Sequence, residues 1–252
     1  MRKRGKELLI LALLLLPALV TVLPLFLLLT GSLMDVQEIR ERLMPVFTGE
    51  GSFFFTAIPD YPTFLNYEKL LLETPQFFAL FWNSMRMTGA VLAGQLLVAV
   101  PAAFGFAVYK GKGSRLLFSL YTVLMLIPFQ VTMLSSYLVL TRLHLMNTQW
   151  AVILPAVFSA FPVFLCYGGF SAIPQAMLEA ARIDGAGEAG LFLRIGLPLG
   201  RGGICSALIL GFLECFNLIE QPMAFLDDKS LWPLSLYLPQ ISLNQAATAF
   251  CG

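Results

Sequence analysis

Long apolar runs alternate with short polar segments along the chain. Residues 8–30 are almost wholly apolar, and a helix of about 23 residues is long enough to cross a hydrocarbon core of about 30 Å. Further apolar runs cover 84–108, 116–140, 150–170 and 202–225. The pattern predicts an all-α polytopic membrane protein with five spans. Pro17 and Pro24 are expected to bend the first span. Pro128 lies inside the third span, and Pro155 and Pro162 inside the fourth. In the second span, Gly89, Gly94 and Gly105 with small Ala neighbours allow close helix–helix approach.

The polar segments differ in kind. The first, MRKRGK, is basic and precedes an apolar run. A cleaved signal peptide has the same start, but its apolar core is only about 7–15 residues and ends in a small-residue site. Here the run is longer and SLMD is a poor site, so 1–30 is expected to hold a cytoplasmic N-terminus and the first span. Residues 31–83 are acid-rich and broken by Pro45, Pro59, Pro62 and Pro75. They read as an extracytoplasmic loop with short helices around Val36–Leu43 and Tyr67–Leu72. Its aromatics Phe53, Phe54, Phe55, Phe77, Phe78, Phe81 and Trp82 suit either the membrane interface or packing within the loop. A basic turn (109–115), a polar turn (142–149), a polar loop (171–201) and a mixed extracytoplasmic tail (226–252) complete the layout. The membrane core spans 84–252.

Composition agrees with the pattern. The chain is 58% hydrophobic and 12% charged, against about 25% charged in soluble domains. A net charge of +1 without a basic, aromatic-interleaved stripe gives no reason to expect nucleic acid. His144 is the sole histidine, and Cys166, Cys205, Cys215 and Cys251 lack metal or redox spacing, so no metal and no cofactor is expected. The first three of those cysteines read as membrane-buried thiols. Basic residues cluster at 2–6, 110–115 and 182–201. The positive-inside bias therefore puts the N-terminus and the 171–201 loop in the cytoplasm.

That loop interrupts the membrane pattern with EAARIDGAGEAGLFLRIGLP at 179–198. Pro174 suits the start of a helix, and 175–182 reads as one, with Leu178 and Ala181 able to share a face. Asp184-Gly185 is a turn signal. Residues 186–195 can form a second short helix, and Pro198 precedes the next span. Ala180, Ala181, Gly185 and Ala186 carry almost no side chain, so another protein could approach the backbone there, with Glu179 offering an acceptor. An amphipathic helix lying on the membrane fits the same physics.

Glu179-Ala180-Ala181, then Gly185 after three residues, then Ile195 and Leu197-Pro198, resembles the EAA loop of ABC importer permeases, and Asp184-Gly185-Ala186 extends the likeness. Pro62-Thr63, Asn66-Tyr67 and Asn83-Ser84 are similar to the segment leading into the second span of the maltose-type, carbohydrate-uptake subfamily. The resemblance runs from about Leu8 to Leu238. It implies a type I ABC importer transmembrane fold of six spans. It implies a multi-pass plasma-membrane subunit that moves sugar by alternating access and is not itself an enzyme. Its partners would be a second permease, a cytoplasmic ATPase dimer and an extracytoplasmic solute-binding protein. In that family the loop is a coupling helix seated in the ATPase, with the position of Glu179 in polar contact and that of Gly185 making the turn. The lack of a P-loop agrees with ATP chemistry on a partner.

Three departures stand out. Gly200, Arg201, Gly202 and Gly203 occupy the place of a usual proline, and Phe216-Asn217 that of a common Trp-Asn pair. The chain also stops at Gly252 where a sixth span would begin, the expectation being a truncated product or a fragment.

Polar groups inside spans mark either a path or interhelical contacts. Glu214, Asn217 and Glu220, with 214 and 217 on one helical face, are candidates for the translocation path, as are Gln130, Ser135 and Ser136. Two other classes compete. A membrane-embedded enzyme would pair Glu214 and Glu220 with His144 as base, but no HExxH or GxSxG occurs. A secondary transporter would carry an internal repeat, which is not evident.

Overall fold

Proline and glycine decide where the helices bend. The computed structural model describes residues 2–35, 37–39, 41, 58–73 and 75–239, and no strand occurs among them. The chain divides into two compact units, Met1–Phe77 and Phe78–Gly252.

In the first unit, α1 (Arg2–Ser32) carries Pro17 and Pro24 inside one helix. A segment that returns to its end bonds the residues just past it. The Thr63 amide donates to the Leu33 carbonyl at 2.8 Å, and Asn66 Nδ2 donates to the Met34 carbonyl at 2.8 Å. Tyr67 Oη bonds Ser32 Oγ at 2.7 Å. Helical structure then follows as α2 (Leu65–Glu68) with a π turn over Lys69–Glu73. So Thr63, Asn66 and Tyr67, three residues behind the resemblance, tie the returning segment to the end of α1 and the two residues after it. Of the short helix expected at 36–43 only 37–39 and 41 are described, and Phe53, Phe54 and Phe55 lie outside the described residues.

The second unit is built on α3 (Pro75–Val108), which contains the 84–108 run. Ala99/Val100, Ala103/Phe104 and Ala107/Val108 recur four residues apart and are all buried. Against this ridge lie Val163, Cys166 and Phe170, with Leu178, Leu191 and Ala207 completing the cluster. Phe104 meets Phe170 and Phe192 edge-on, at ring-centre distances of 5.5 and 5.2 Å. Gly94 in α3 admits Val157, where an added Cβ would stand 2.5 Å from a methyl, whereas Gly89 and Gly105 face open space.

The third apolar run is not one straight span. Its two halves, α4 (Lys112–Met125) and α5 (Phe129–Arg142), are bent by 101°. Pro128 explains the break. It has no amide to donate, and it pushes Ile127 away from helical geometry. The fourth run has a local break between α6 (Trp150–Val157) and α7 (Ala160–Ser171) but remains one candidate span, Trp150–Ser171. After α8 (Gln175–Ile183), one helical run, α9 (Glu188–Phe216), replaces the expected short helix at 186–195 and the separate span from 202. Pro198 lies within α9 rather than ahead of it. A π turn over Leu191–Gly196 precedes the proline, where the wider winding relieves the clash with the Arg194 carbonyl. The fifth span also stops early: Asn217 caps α9, and α10 (Glu220–Phe225) is a separate short helix. Glu214 and Glu220 are thus not on one continuous helix. Among the described residues, four helices are long and apolar enough to cross a membrane, or five if α4 and α5 count as one span.

Helices α7 and α9 cross through glycine. A Cβ added at Gly169 would sit 2.9 Å from the Gly203 backbone, and one at Gly203 would sit 2.9 Å from the Gly169 backbone.

In the third turn of α3, Asn83 and Ser84 are almost fully buried. Asn83 Nδ2 donates to the carbonyls of Ser230 (2.6 Å) and Trp232 (3.1 Å), while its Oδ1 accepts from Arg86 (2.6 Å) and Gln149 (3.1 Å). Ser84 Oγ accepts from the Leu234 amide at 2.8 Å. Nearby, Asn147 adopts φ 56°, a left-handed conformation that Asn tolerates, and its Oδ1 accepts from the amides of Asp227 and Asp228. Asn83→Ala leaves four partners without their bonds, of which Gln149 and Trp232 are half-buried and Arg86 and Ser230 can turn to water. It is expected to cost about 1–2 kcal/mol, read as a lower thermal midpoint in detergent. Ser84→Ala is expected to cost about 1 kcal/mol.

Candidate functional site: the 174–198 loop and the cavity

Asn83 and Val108 stand about 38 Å apart along α3 at 1.5 Å per residue. The 174–198 loop packs at the Val108 end. Pro174 is the residue before α8, with φ −60° and ψ 129°, and the helix starts at Gln175. The face of α8 toward the core is made by Leu178, which is buried, and Ala181, which packs on the cluster. The opposite face is open: Glu179, Ala180 and Asp184 are exposed. Two apolar side chains that the sequence reading passed over share that exposure, Met177 at 45% and Ile183 at 86%. Helical spacing around the EAA run was the signal that could have found them.

The turn after α8 is closed by its own backbone. The Ala186 amide donates to the Ala181 carbonyl at 2.9 Å, and the Gly185 amide donates to the Arg182 carbonyl at 3.1 Å. This pair of bonds is a Schellman motif, which requires a left-handed residue; Gly185 supplies it with φ +85°. Ala186 and Ile195 then turn back onto the core, as does Leu197, while Pro198 is exposed. A polar clasp spans the same turn. Arg182 Nε and Glu188 Oε1 are 3.2 Å apart, and the Tyr109 hydroxyl, one residue past α3, donates to Glu188 Oε2. That bond holds the Tyr109 phenol protonated above the ordinary tyrosine range, with partial burial and the Glu188 charge adding to it. Opposite charges flanking Asp-Gly were legible in the sequence, whereas Tyr109 as their neighbour was not.

The path candidates are only partly brought together. An open cavity of about 780 Å³ is lined by residues of α3, α4, α5, α6, α7 and α9 and of the 217–221 segment, among them Ser136 and Glu214. Gln130, Ser135, Asn217 and Glu220 are not in its lining. Gln130 Nε2 donates to both carboxylate oxygens of Glu220, at 2.9 and 3.0 Å, and Asn217 Nδ2 donates to the Leu213 carbonyl at 2.8 Å. Gln95, Tyr121 and Gln221 line the cavity instead. Gln95 Nε2 also donates to the Ala156 carbonyl at 3.0 Å, so it reads as a polar side chain fixed across the α3–α6 contact. His144 sits with φ 54° in the turn between α5 and α6. No group of three or more metal-ligating side chains occurs among the described residues.

Residues 95–222 match the family described as the binding-protein-dependent transport system inner membrane component, and the chain belongs to that family. It is therefore a multi-pass membrane transport subunit and not an enzyme. Among its relatives, Protein LplC of Bacillus subtilis (strain 168) is 30% identical over 233 residues, covering 92% of this chain and 74% of LplC. The arabinooligosaccharides transport system permease protein AraQ of the same organism is 29% identical over 224 residues, covering 89% of this chain and 76% of AraQ. The fold is similar to that in the crystal structure of a bacterial ABC transporter involved in the import of the acidic polysaccharide alginate. The TM-score is 0.78 at 20% identity, over 95% of this chain and 81% of that one.

Proposed function

We propose that this chain is the permease subunit of an ATP-driven, binding-protein-dependent sugar importer. The N-terminus and the 171–201 loop lie in the cytoplasm, where the basic residues concentrate. There α8 seats on an ATPase subunit through its open face, with Glu179 as the polar contact. A second permease completes the pathway, and an extracytoplasmic binding protein delivers sugar to the outer mouth. The cavity bearing Ser136, Gln95, Gln221 and Glu214 lies on the translocation path, where amide, hydroxyl and carboxyl groups suit sugar hydroxyls. The observation that carries this reading is α8 itself. It is anchored on one face by Leu178, held at its end by Gly185, and left bare on the face with Glu179 and Ala180. The names of relatives such as AraQ support a carbohydrate substrate.

The test is uptake of labelled oligosaccharide into vesicles carrying the chain with its partner permease, ATPase and binding protein. Uptake is expected to require ATP and the ATPase subunit. Proton-driven uptake without that subunit overturns the reading. Glu179→Lys is expected to weaken copurification of the ATPase by about tenfold, since a reversed charge at a desolvated contact costs more than about 1.4 kcal/mol. Unchanged copurification and transport remove Glu179 from the contact.

A further inference from the structure

We propose that Tyr109 is a positioning residue for energy coupling: through Glu188 and Arg182 it fixes the angle of α8 against the end of α3. The inference rests on the reading of α8 as the coupling element and deepens it.

Three elements meet at one carboxylate. Glu188 begins α9, Arg182 lies in the last turn of α8, and Tyr109 follows α3. Arg182 donates from Nε to Oε1 at 3.2 Å and from Nη2 to Oε2 at 3.4 Å, and the Tyr109 hydroxyl donates to Oε2. The backbone of the turn is already locked by its two Schellman bonds, so the Arg182–Glu188 pair adds little to the turn's own shape. What the clasp adds is the link to α3. Leu178 and Ala181 are the residues of α8 that pack in the apolar cluster, on one face of the helix. The clasp gives the end of α8 a second, polar contact to α3, from Arg182 through Glu188 to Tyr109. A force applied to the bare face of α8 then reaches α3 by two routes, the apolar core and the clasp.

Exposure argues for position rather than stability. The side chains of Arg182 and Glu188 are 33% and 55% exposed, and ion pairs so open to water contribute little to folding. A group that matters little for stability yet joins three elements at the loop can alter the transmission of movement without altering assembly.

The experiment uses the complete transporter in vesicles and reads two quantities: ATPase copurification, and labelled sugar moved per ATP hydrolysed. Tyr109→Phe removes only the hydroxyl. Copurification is expected to stay at the wild-type level, while sugar moved per ATP falls about three- to tenfold. Arg182→Glu is expected to give a similar loss. Combining it with Glu188→Arg is expected to restore about half or more of the ratio, because the introduced guanidinium can still bond the phenol oxygen. A wild-type ratio in both Tyr109→Phe and Arg182→Glu, with Gly185→Pro still inactive, overturns the clasp and leaves the coupling reading standing. Loss of ATPase copurification in Tyr109→Phe also overturns it, since these residues would then belong to the docking contact. Transport that survives Gly185→Pro overturns both.

Discussion

Gly203→Leu is expected to keep the chain from accumulating as a folded protein. Its Cβ would stand 2.9 Å from the Cα and N of Gly169 and 3.0 Å from the Leu165 carbonyl. All three neighbours are backbone, so no side chain can swing aside. Helices α7 and α9 would have to separate, and Phe170, which fills the space over Gly200, would be pulled from the core it shares with Phe104. Ordinary overpacking costs about 1–3 kcal/mol, and a side chain driven into the backbone of a neighbouring helix is at or above the top of that range. The expected result is aggregated or degraded protein on size-exclusion chromatography after detergent extraction. Gly202→Leu is the control. A Cβ there meets nothing within 4 Å, and leucine is the better helix former, so yield and elution are expected to match wild type. If Gly203→Leu folds as well as Gly202→Leu, the close crossing is wrong.

Gly185→Pro is expected to abolish transport and coupled ATP hydrolysis while leaving membrane insertion and folded yield intact. Proline holds φ near about −65°, and the turn needs +85°. It also removes the amide that donates to the Arg182 carbonyl. The Schellman closure therefore opens, and with it the register between α8 and α9. Strained or lost left-handed positions cost about 1–3 kcal/mol, enough to shift a coupling equilibrium about tenfold or more. The spans on either side do not depend on this residue, because nothing lies within 4 Å of its missing Cβ. A graded series sharpens the test. Gly185→Asn is expected to retain most transport, Gly185→Ala part of it, and Gly185→Pro none, following tolerance of the left-handed region. Activity that is independent of this order removes the turn from the mechanism.

The two sites differ in how much of them could be read from the chain. The 174–198 loop is local. Its apolar anchor, turn glycine and exposed acid lie within a few turns of helix, so spacing alone put Leu178 inward and Gly185 at the bend. The cavity is not local. Its lining comes from helices far apart in sequence, and two breaks decide which polar groups face it. Because α9 ends at Phe216, Asn217 becomes a cap and Glu220 is drawn to Gln130, leaving Glu214 with Ser136 and the unforeseen Gln95 and Gln221. Assuming an unbroken helix from 202 to 225 put Glu220 on the same helix as Glu214 and Asn217; the break after 217 separates it from them.

The sequence by itself determined that the chain is a multi-pass membrane protein, because hydrocarbon thickness acts on runs of residues and needs no tertiary contact. It also determined the loop, because a left-handed turn next to a half-apolar helix is written in adjacent letters. Only the tertiary structure decided which small residues matter. Gly200, Gly202 and Gly203 look alike in the sequence, where they stand only as the absence of a usual proline. In the fold Gly200 lies under the Phe170 ring, Gly203 lies against the Gly169 backbone, and Gly202 faces open space. The reason is physical: close packing depends on which atom of a distant helix arrives at each position, and the sequence of one helix does not carry that information.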